Sequence, residues 1–163
     1  MRLTRIHVPA PLRADSEITL PAQAGEHLTR VLRLETGAPF VMFNGEGGEF
    51  AAEISATGKQ VRSRVLRHDP VERESPLDIT LLQGVARGER MDLIVQKATE
   101  LGVARIVPVL AERSVVRVDA TQRERKRGHW QSIVVSACEQ CGRNRVPAVH
   151  EVVSFGDALK LLP

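Results

Sequence analysis

Tyrosine is missing from this chain, and Phe40, Phe43, Phe50, Phe155 and Trp130 are the only benzene-type and indole rings in its 163 residues. A surface that stacks several bases on exposed rings is therefore disfavoured. Arginine contacts to a phosphate backbone stay open as a way of holding nucleic acid. Cysteine is nearly absent too. Cys138 and Cys141 have the CxxC spacing of zinc or redox sites. Zinc would want a second pair or nearby histidines, and a redox pair gains thiolate character at a helix N-terminus. These two fall at the end of a predicted helix, on its apolar stripe, which reads as core packing. No apolar run approaches the length of a membrane span, and Met1 to His7 lacks the apolar centre of a signal peptide. The expected location is the cytoplasm. GxGxxG, GxxxxGK, HExxH and GxSxG are all absent, and His7, His27, His68, His129 and His150 are scattered. Phosphate-loop, metalloenzyme and serine-hydrolase readings lose their support, and no metal ligand is expected.

The composition is that of a folded soluble protein, with 42% hydrophobic and 26% charged residues. A net charge of +3 leans basic, which is the right sign for an RNA partner, though an ordinary surface also carries such a balance. Residues 1–72 read as a small β-rich unit. Ser16 to Leu20 alternates like a strand, and Phe40–Phe43 and Glu49–Ile54 flank Asn44-Gly45-Glu46-Gly47-Gly48, a hairpin signal. A second turn at Thr57-Gly58-Lys59 leads to another strand, Gln60 to Leu66. Between the early strands a helix near Gly25 to Arg33 is expected to turn Leu28, Val31 and Leu32 inward and His27, Arg30 and Arg33 outward. Asp69 to Pro76, polar and carrying two prolines, reads as a linker.

From residue 73 on the periodicity becomes that of an α/β unit. Leu77–Val85 is a strand candidate. A helix opens at Gly88-Glu89-Arg90, buries Met91, Ile94, Val95, Ala98 and Leu101, and stops at Gly102. Ile106–Leu110 then completes a βαβ unit with a right-handed crossover. Thr121-Gln122-Arg123-Glu124 has the form of a capping box for a long helix with Trp130, Ile133, Val134, Ala137, Cys138 and Cys141 on its buried stripe. A strand near Val149–Val153 and a last helix from Ser154, capped by Asp157, come after it.

Several residues could carry chemistry. The stretch from Cys138 to Pro147 ends a helix at Gly142 and presents Glu139, Gln140, Arg143, Asn144 and Arg145 together, a set suited to a polyanion with polar base edges. Arg87 lies just beyond a predicted parallel strand, where ligands of open α/β sheets bind. Lys97 and Glu100 sit three apart on a helix face and read either as an exposed ion pair or as RNA contacts. Arg123-Glu124-Arg125-Lys126-Arg127 is a charge run of the kind that is usually a solvated face.

The motifs His27-Leu28-Thr29-Arg30-Val31-Leu32-Arg33, Arg73-Glu74-Ser75-Pro76-Leu77, Gly88-Glu89-Arg90-Met91-Asp92, Gln96-Lys97-Ala98-Thr99-Glu100-Leu101-Gly102-Val103, Glu112-Arg113-Ser114 and Glu139-Gln140-Cys141-Gly142-Arg143-Asn144-Arg145-Val146-Pro147 occur in that order. In this the chain resembles the bacterial 16S rRNA uracil-N3 methyltransferases, the ribosomal small subunit methyltransferase E family. The resemblance implies a PUA-like RNA-binding β-barrel over residues 1–72. It implies the first part of a SPOUT methyltransferase domain over 73–163, a Rossmann-like α/β fold completed by a trefoil knot. It further implies S-adenosylmethionine as cofactor, 16S rRNA of the small ribosomal subunit as partner, and a homodimer.

The family's GPEGG and LGxRxLRTETA segments do not occur in the sequence. The cofactor-binding residues are accordingly expected beyond Pro163, the chain is read as a fragment, and this piece alone is expected to be inactive and to bind no cofactor. On this reading Glu139 is the candidate base, and Arg143 and Arg145 stabilise phosphate and the uracil anion. Arg30, Arg33, Arg87, Lys97, Glu100 and Asn144 contact RNA. The main alternative is a non-catalytic RNA-binding protein built from the same parts, and a third reading is an α/β nucleotide-binding domain with an unrelated small ligand.

Overall fold

The computed structural model describes residues 3–111 and 119–161; the Glu112-Arg113-Ser114 motif lies outside them. The chain divides into two compact units. One comprises Met1–Arg73 and Gly142–Arg145, the other Glu74–Cys141 and Val146–Pro163. A contiguous division after residue 72 differs from this in two respects: Arg73 groups with the N-terminal unit, and so does a short segment just past the long helix that is hydrogen-bonded into it.

Among the described residues, the first unit holds β1 (Arg5–His7), β2 (Ser16–Thr19), α1 (Ala22–Glu26), β3 (Pro39–Phe43), β4 (Glu49–Ala56) and β5 (Arg62–Asp69). The sheet order is β1-β3-β4-β5-β2, with β1 parallel to β3 and the other pairings antiparallel. Strict alternation builds its core. Phe50, Ala52 and Ile54 of β4 are buried while Ala51, Glu53 and Ser55 are only half-buried. Phe40, Met42 and Leu28 fill the same cluster, each fully buried large side chain contributing about 1.5–3 kcal/mol.

The helix expected near Gly25–Arg33 starts earlier, at Ala22, and loosens into a π-helical turn over His27–Val31. Leu32 N–H reaches back five residues to the His27 carbonyl at 3.0 Å, and Thr29 Oγ1 donates to the Gly25 carbonyl at 2.8 Å. The wider turn takes Val31 off the face of Leu28. Leu28 is fully buried, but Val31 is 67% exposed, contrary to the inward placement expected for it.

The second unit holds β6 (Thr80–Gly84), α2 (Glu89–Glu100), β7 (Arg105–Leu110), α3 (Ala120–Cys141), β8 (Ala148–Val149), β9 (Val153–Ser154) and α4 (Phe155–Leu159). β6-α2-β7 is the expected parallel βαβ unit, and β8 and β9 both pair with β7 in parallel. The single strand expected over 149–153 is thus split into two short ones. α2 ends in a Schellman motif: Gly102, at φ 97, donates to the Thr99 carbonyl, and Val103 donates to that of Ala98. Leu101, expected inside, is the residue from which the chain leaves the helix, and it is exposed.

The N-cap of α3 is Asp119 rather than Thr121. Its carboxylate accepts from Gln122 N–H at 2.9 Å and from Thr121 Oγ1 at 2.7 Å, while Glu124 turns to Arg127. At α4 the cap is Ser154, whose hydroxyl accepts from Asp157 N–H. Trp130, Val134, Ala137 and Cys138 are buried as the stripe requires. No helix among the described residues is long and apolar enough to cross a membrane.

Candidate functional site

α3 stops at Cys141 because Gly142 turns into the left-handed region at φ 97, in keeping with its place before Pro147. The residues after Gly142 do not form a solvated basic loop. Arg143 and Asn144 are buried, and Asn144 has no exposed surface at all. The Asn144 side chain is engaged at both ends. Its Oδ1 accepts from Arg5 Nη2 at 2.5 Å, and its Nδ2 donates to the Val71 carbonyl at 2.9 Å. Arg5 Nη2 also donates to the Arg143 carbonyl at 3.2 Å. Asn144 therefore spends its amide inside the first unit.

Arg5 is itself buried, 8% exposed, with its guanidinium carbon 4.9 Å from the centre of the Phe43 ring. Glu49, at the start of β4, pairs with Arg5 Nη1 and also receives both terminal nitrogens of Arg73, at 2.7 and 3.1 Å. The hydrogen bond from Arg73, followed by that from Arg5, holds the Glu49 carboxyl below its ordinary value against the opposing effect of burial. Arg73 Nη1 lies 3.4 Å from the Gly142 carbonyl. Arg145 then bridges to Gly45 and Glu46 of the hairpin loop, and its Nε donates to Glu72 at 2.8 Å. Gly47 takes φ 107, and the nearest atom to where a Cβ would sit is the movable end of Arg145, Nη2, at 2.9 Å. These bonds are why Gly142–Arg145 groups with the N-terminal unit.

Elsewhere in the first unit, Arg30 is exposed on the π-helical turn and Arg33 is exposed just past its C-cap, Leu32. Arg30 has a loose, solvent-facing pair with Glu26 at 3.3 Å, worth little by itself. Arg33 takes φ 55, unusual for a residue with a Cβ, and lines an open groove of about 570 Å³ with Thr29, Leu34, Glu35, Thr36 and Thr57.

In the second unit β6, β7 and β9 run parallel, so their C-terminal ends share one sheet edge. Arg87 is exposed just beyond β6, at the start of α2. Lys97 and Glu100 form an ion pair at 2.7 Å. The Lys97 contact, with a second hydrogen bond from Gln96, lowers the Glu100 carboxyl. Glu139 is half-buried on α3. A groove of about 400 Å³ between α2 and α3 is lined by Gln96, Ser132, Ile133, Ser136, Ala137 and Gln140. The charge run at the start of α3 is partly absorbed locally, Arg127 by Glu124 and Lys126 over the Trp130 ring. Among the described residues no group of His, Cys, Asp and Glu could hold a metal ion.

The structure thus gathers Arg143, Asn144 and Arg145 in the first unit and pairs Lys97 with Glu100, while Arg30 pairs with Glu26 and Arg33 lines a separate groove. Arg87, Lys97, Glu100 and Glu139 belong to the second unit and the others to the first. Sequence reasoning missed Arg5, Glu49, Glu72 and Arg73. An arginine in a three-residue strand and a carboxylate at a strand start carry no local pattern that separates them from solvated residues.

Residues 73–163 match a family model described as an RNA methyltransferase domain, and residues 20–66 one described as an RNA methyltransferase PUA domain. A solved ribosomal RNA small subunit methyltransferase E from Neisseria gonorrhoeae, bound to S-adenosyl methionine, is 37% identical with a TM-score of 0.94, covering 99% of this chain and 67% of that one. A protein from Legionella pneumophila described as a methyltransferase, in complex with the cofactor SAM, is 39% identical with a TM-score of 0.95 and the same coverage. The ribosomal RNA small subunit methyltransferase E of Bacillus subtilis is 33% identical over 135 residues, 82% of this chain and 53% of that protein. The chain therefore spans about half the length of that curated relative.

Proposed function

Since the chain belongs to the ribosomal RNA small subunit methyltransferase E family, we propose that it is part of an enzyme that methylates N3 of a uridine in 16S rRNA with S-adenosylmethionine as donor. The single observation that carries this reading is the match along 99% of the chain to the Neisseria enzyme. The fold class agrees with it: a PUA-like β unit followed by an α/β methyltransferase unit of the SPOUT kind.

The donor supplies an electrophilic methyl group. The strand-end edge is open, and a Cβ added at Gly84 or Gly88 would meet nothing within 4 Å. We propose that the 163-residue chain measured alone does not bind the donor. One-site binding of S-adenosylmethionine in calorimetry would refute that statement.

The chain's own residues supply positioning and charge. N3 lies on the Watson–Crick edge of uracil, so the base must be unpaired or extruded before it can react. Its proton must leave, and a cation must stabilise the anion that remains. We assign Arg145, with Arg143, to the anion and phosphate roles and Glu139 to the base. Arg30, Arg33, Arg87, Lys97 and Glu100 are assigned to the RNA backbone. Asn144 acts in RNA binding through the arginines on either side of it, because its own amide is already engaged. Residues 1–72 serve as the RNA-binding domain and 73–163 as part of the transferase domain, in a cytoplasmic homodimer. The test is methyl transfer by the complete protein to small-subunit rRNA, with the product nucleoside identified by mass spectrometry. Formation of N3-methyluridine is expected; a different methylated nucleoside, or none, overturns the reading.

A further inference from the structure

We infer that Arg5 is a positioning residue, which from the first strand sets the register and orientation of the Arg143–Arg145 segment for RNA. The inference rests on the proposed function in one respect, that this segment meets RNA. Three observations lead to it. Arg5 reaches 139 and 138 positions along the chain to two acceptors on adjacent residues, the Asn144 amide oxygen and the Arg143 carbonyl. Both bonds leave the single nitrogen Nη2, whose direction is fixed in the guanidinium plane once Nη1 is also held; a lysine ammonium, with one freely rotating nitrogen, has no second point of attachment. The fork is also held from behind. Glu49 takes Nη1 of Arg5, and Arg73, which grips Glu49 with two nitrogens, reaches the Gly142 carbonyl.

Gly142, Arg143 and Asn144 are thereby fixed in succession, and Arg145 is left lying on Gly45 and Glu46 with its Nε directed to Glu72. A buried ion pair is a poor source of stability compared with an apolar contact of the same volume, whereas the selection of one register is its best-attested use. Arg5 Nε, buried without an acceptor among the described residues, fits that view. The side chain is placed for what its terminal nitrogens hold rather than for full satisfaction of its own donors.

The test uses the 163-residue chain with Arg5→Lys, Arg5→Met and Asn144→Ala, the last approaching the same contact from the other side. Ile54→Val, in the apolar core, serves as a control for general loss of stability. Hydrogen exchange is monitored on amides 142–145, and binding to a small-subunit rRNA fragment is measured as a function of salt. Exchange at 142–145 is expected to rise at least tenfold in Arg5→Met and Asn144→Ala while β3–β5 stays protected. RNA affinity is expected to fall at least tenfold, with the log–log salt slope reduced by about one, as in Arg145→Ala. Arg5→Met combined with Arg145→Ala should lose no more than either alone, Arg5→Lys should not restore binding, and Ile54→Val should leave the slope unchanged. Wild-type protection at 142–145 in both Arg5→Met and Asn144→Ala overturns the proposal. So does an unchanged salt slope in Arg5→Met when the wild-type chain binds RNA. A wild-type chain with no affinity for the rRNA overturns the functional reading first and the positioning role with it.

Discussion

The Asn144 amide oxygen accepts a hydrogen bond from Arg5 Nη2 at 2.5 Å, so a residue of the first strand and one just past the longest helix share a buried contact. The arginines flanking Asn144 are consequently not equivalent. Arg143 is 6% exposed overall, whereas the Arg145 side chain is 57% exposed and engaged by Glu72. Of the two, Arg145 is the one whose side chain can change partner at small cost.

That difference sharpens the expectation for lysine variants in the complete protein. Arg145→Lys should keep the fold and lower turnover on 30S particles at least tenfold, about 1.4 kcal/mol of transition-state stabilisation, because lysine lacks the paired donors of a guanidinium. Arg143→Lys should in addition lower the unfolding midpoint, its side chain being enclosed. Wild-type turnover in Arg145→Lys, measured by methyl-transfer kinetics with circular dichroism as folding control, would remove Arg145 from the catalytic assignment.

Acid should weaken the first unit through Glu49. Its folded-state pKa is depressed below the ordinary 4.5, so the unfolded chain binds the proton more readily. The stability it contributes is fully present above about pH 4.5 and is lost as pH falls through the lower, folded value. Urea titrations of wild type and Glu49→Gln between pH 3 and 6 should show a shallower acid loss in the variant. Identical slopes would mean that the Arg5–Glu49–Arg73 cluster is not coupled to stability.

Two glycines with positive φ should respond differently to alanine. Gly58, in the β4–β5 turn, has nothing within 4 Å of where a Cβ would sit, and Gly58→Ala should cost only the backbone strain of about 1–3 kcal/mol. A Cβ on Gly48 would lie 2.5 Å from His68 Nε2 and 2.9 Å from the Asp69 carbonyl. Gly48→Ala should therefore add a further 1–3 kcal/mol or so of overpacking. Equal midpoints for the two variants in thermal unfolding would contradict the close packing of the hairpin loop.

Arg33 allows its guanidinium to be removed without disturbing the backbone. At φ 55 a glycine is better suited to the site, and the relief roughly offsets the extra freedom that glycine gives the unfolded chain. Arg33→Gly should leave the unfolding midpoint within about 0.5 kcal/mol of wild type and lower the salt slope of RNA binding by about one. Arg30→Ala should do the same. Unchanged slopes in both would make the π-helical turn an ordinary solvated face.

Elements whose signals are local are legible from the residues alone. The hairpin about Asn44–Gly48 comes from glycines between alternating strands, and the βαβ unit from a 3.6-residue stripe between two apolar runs. The ends of α2 and α3 come from Gly102 and Gly142, since a left-handed residue after a helix is recognisable wherever it stands. Motif order along the chain likewise carried the family. The fold as a whole sets Val31 outward on a π-helical turn, because the five-residue reach of Leu32 N–H depends on which carbonyl is left to accept it. Only it decided that Gly142–Arg145 joins the N-terminal unit and that Asn144 is spent on Arg5 and Val71. The physical reason is the same for all of these. Hydrophobic periodicity and turn residues act over a few positions, while the partner of a buried charge is chosen by the whole fold, and neither Arg5 nor Glu49 has a neighbour in sequence that reveals it.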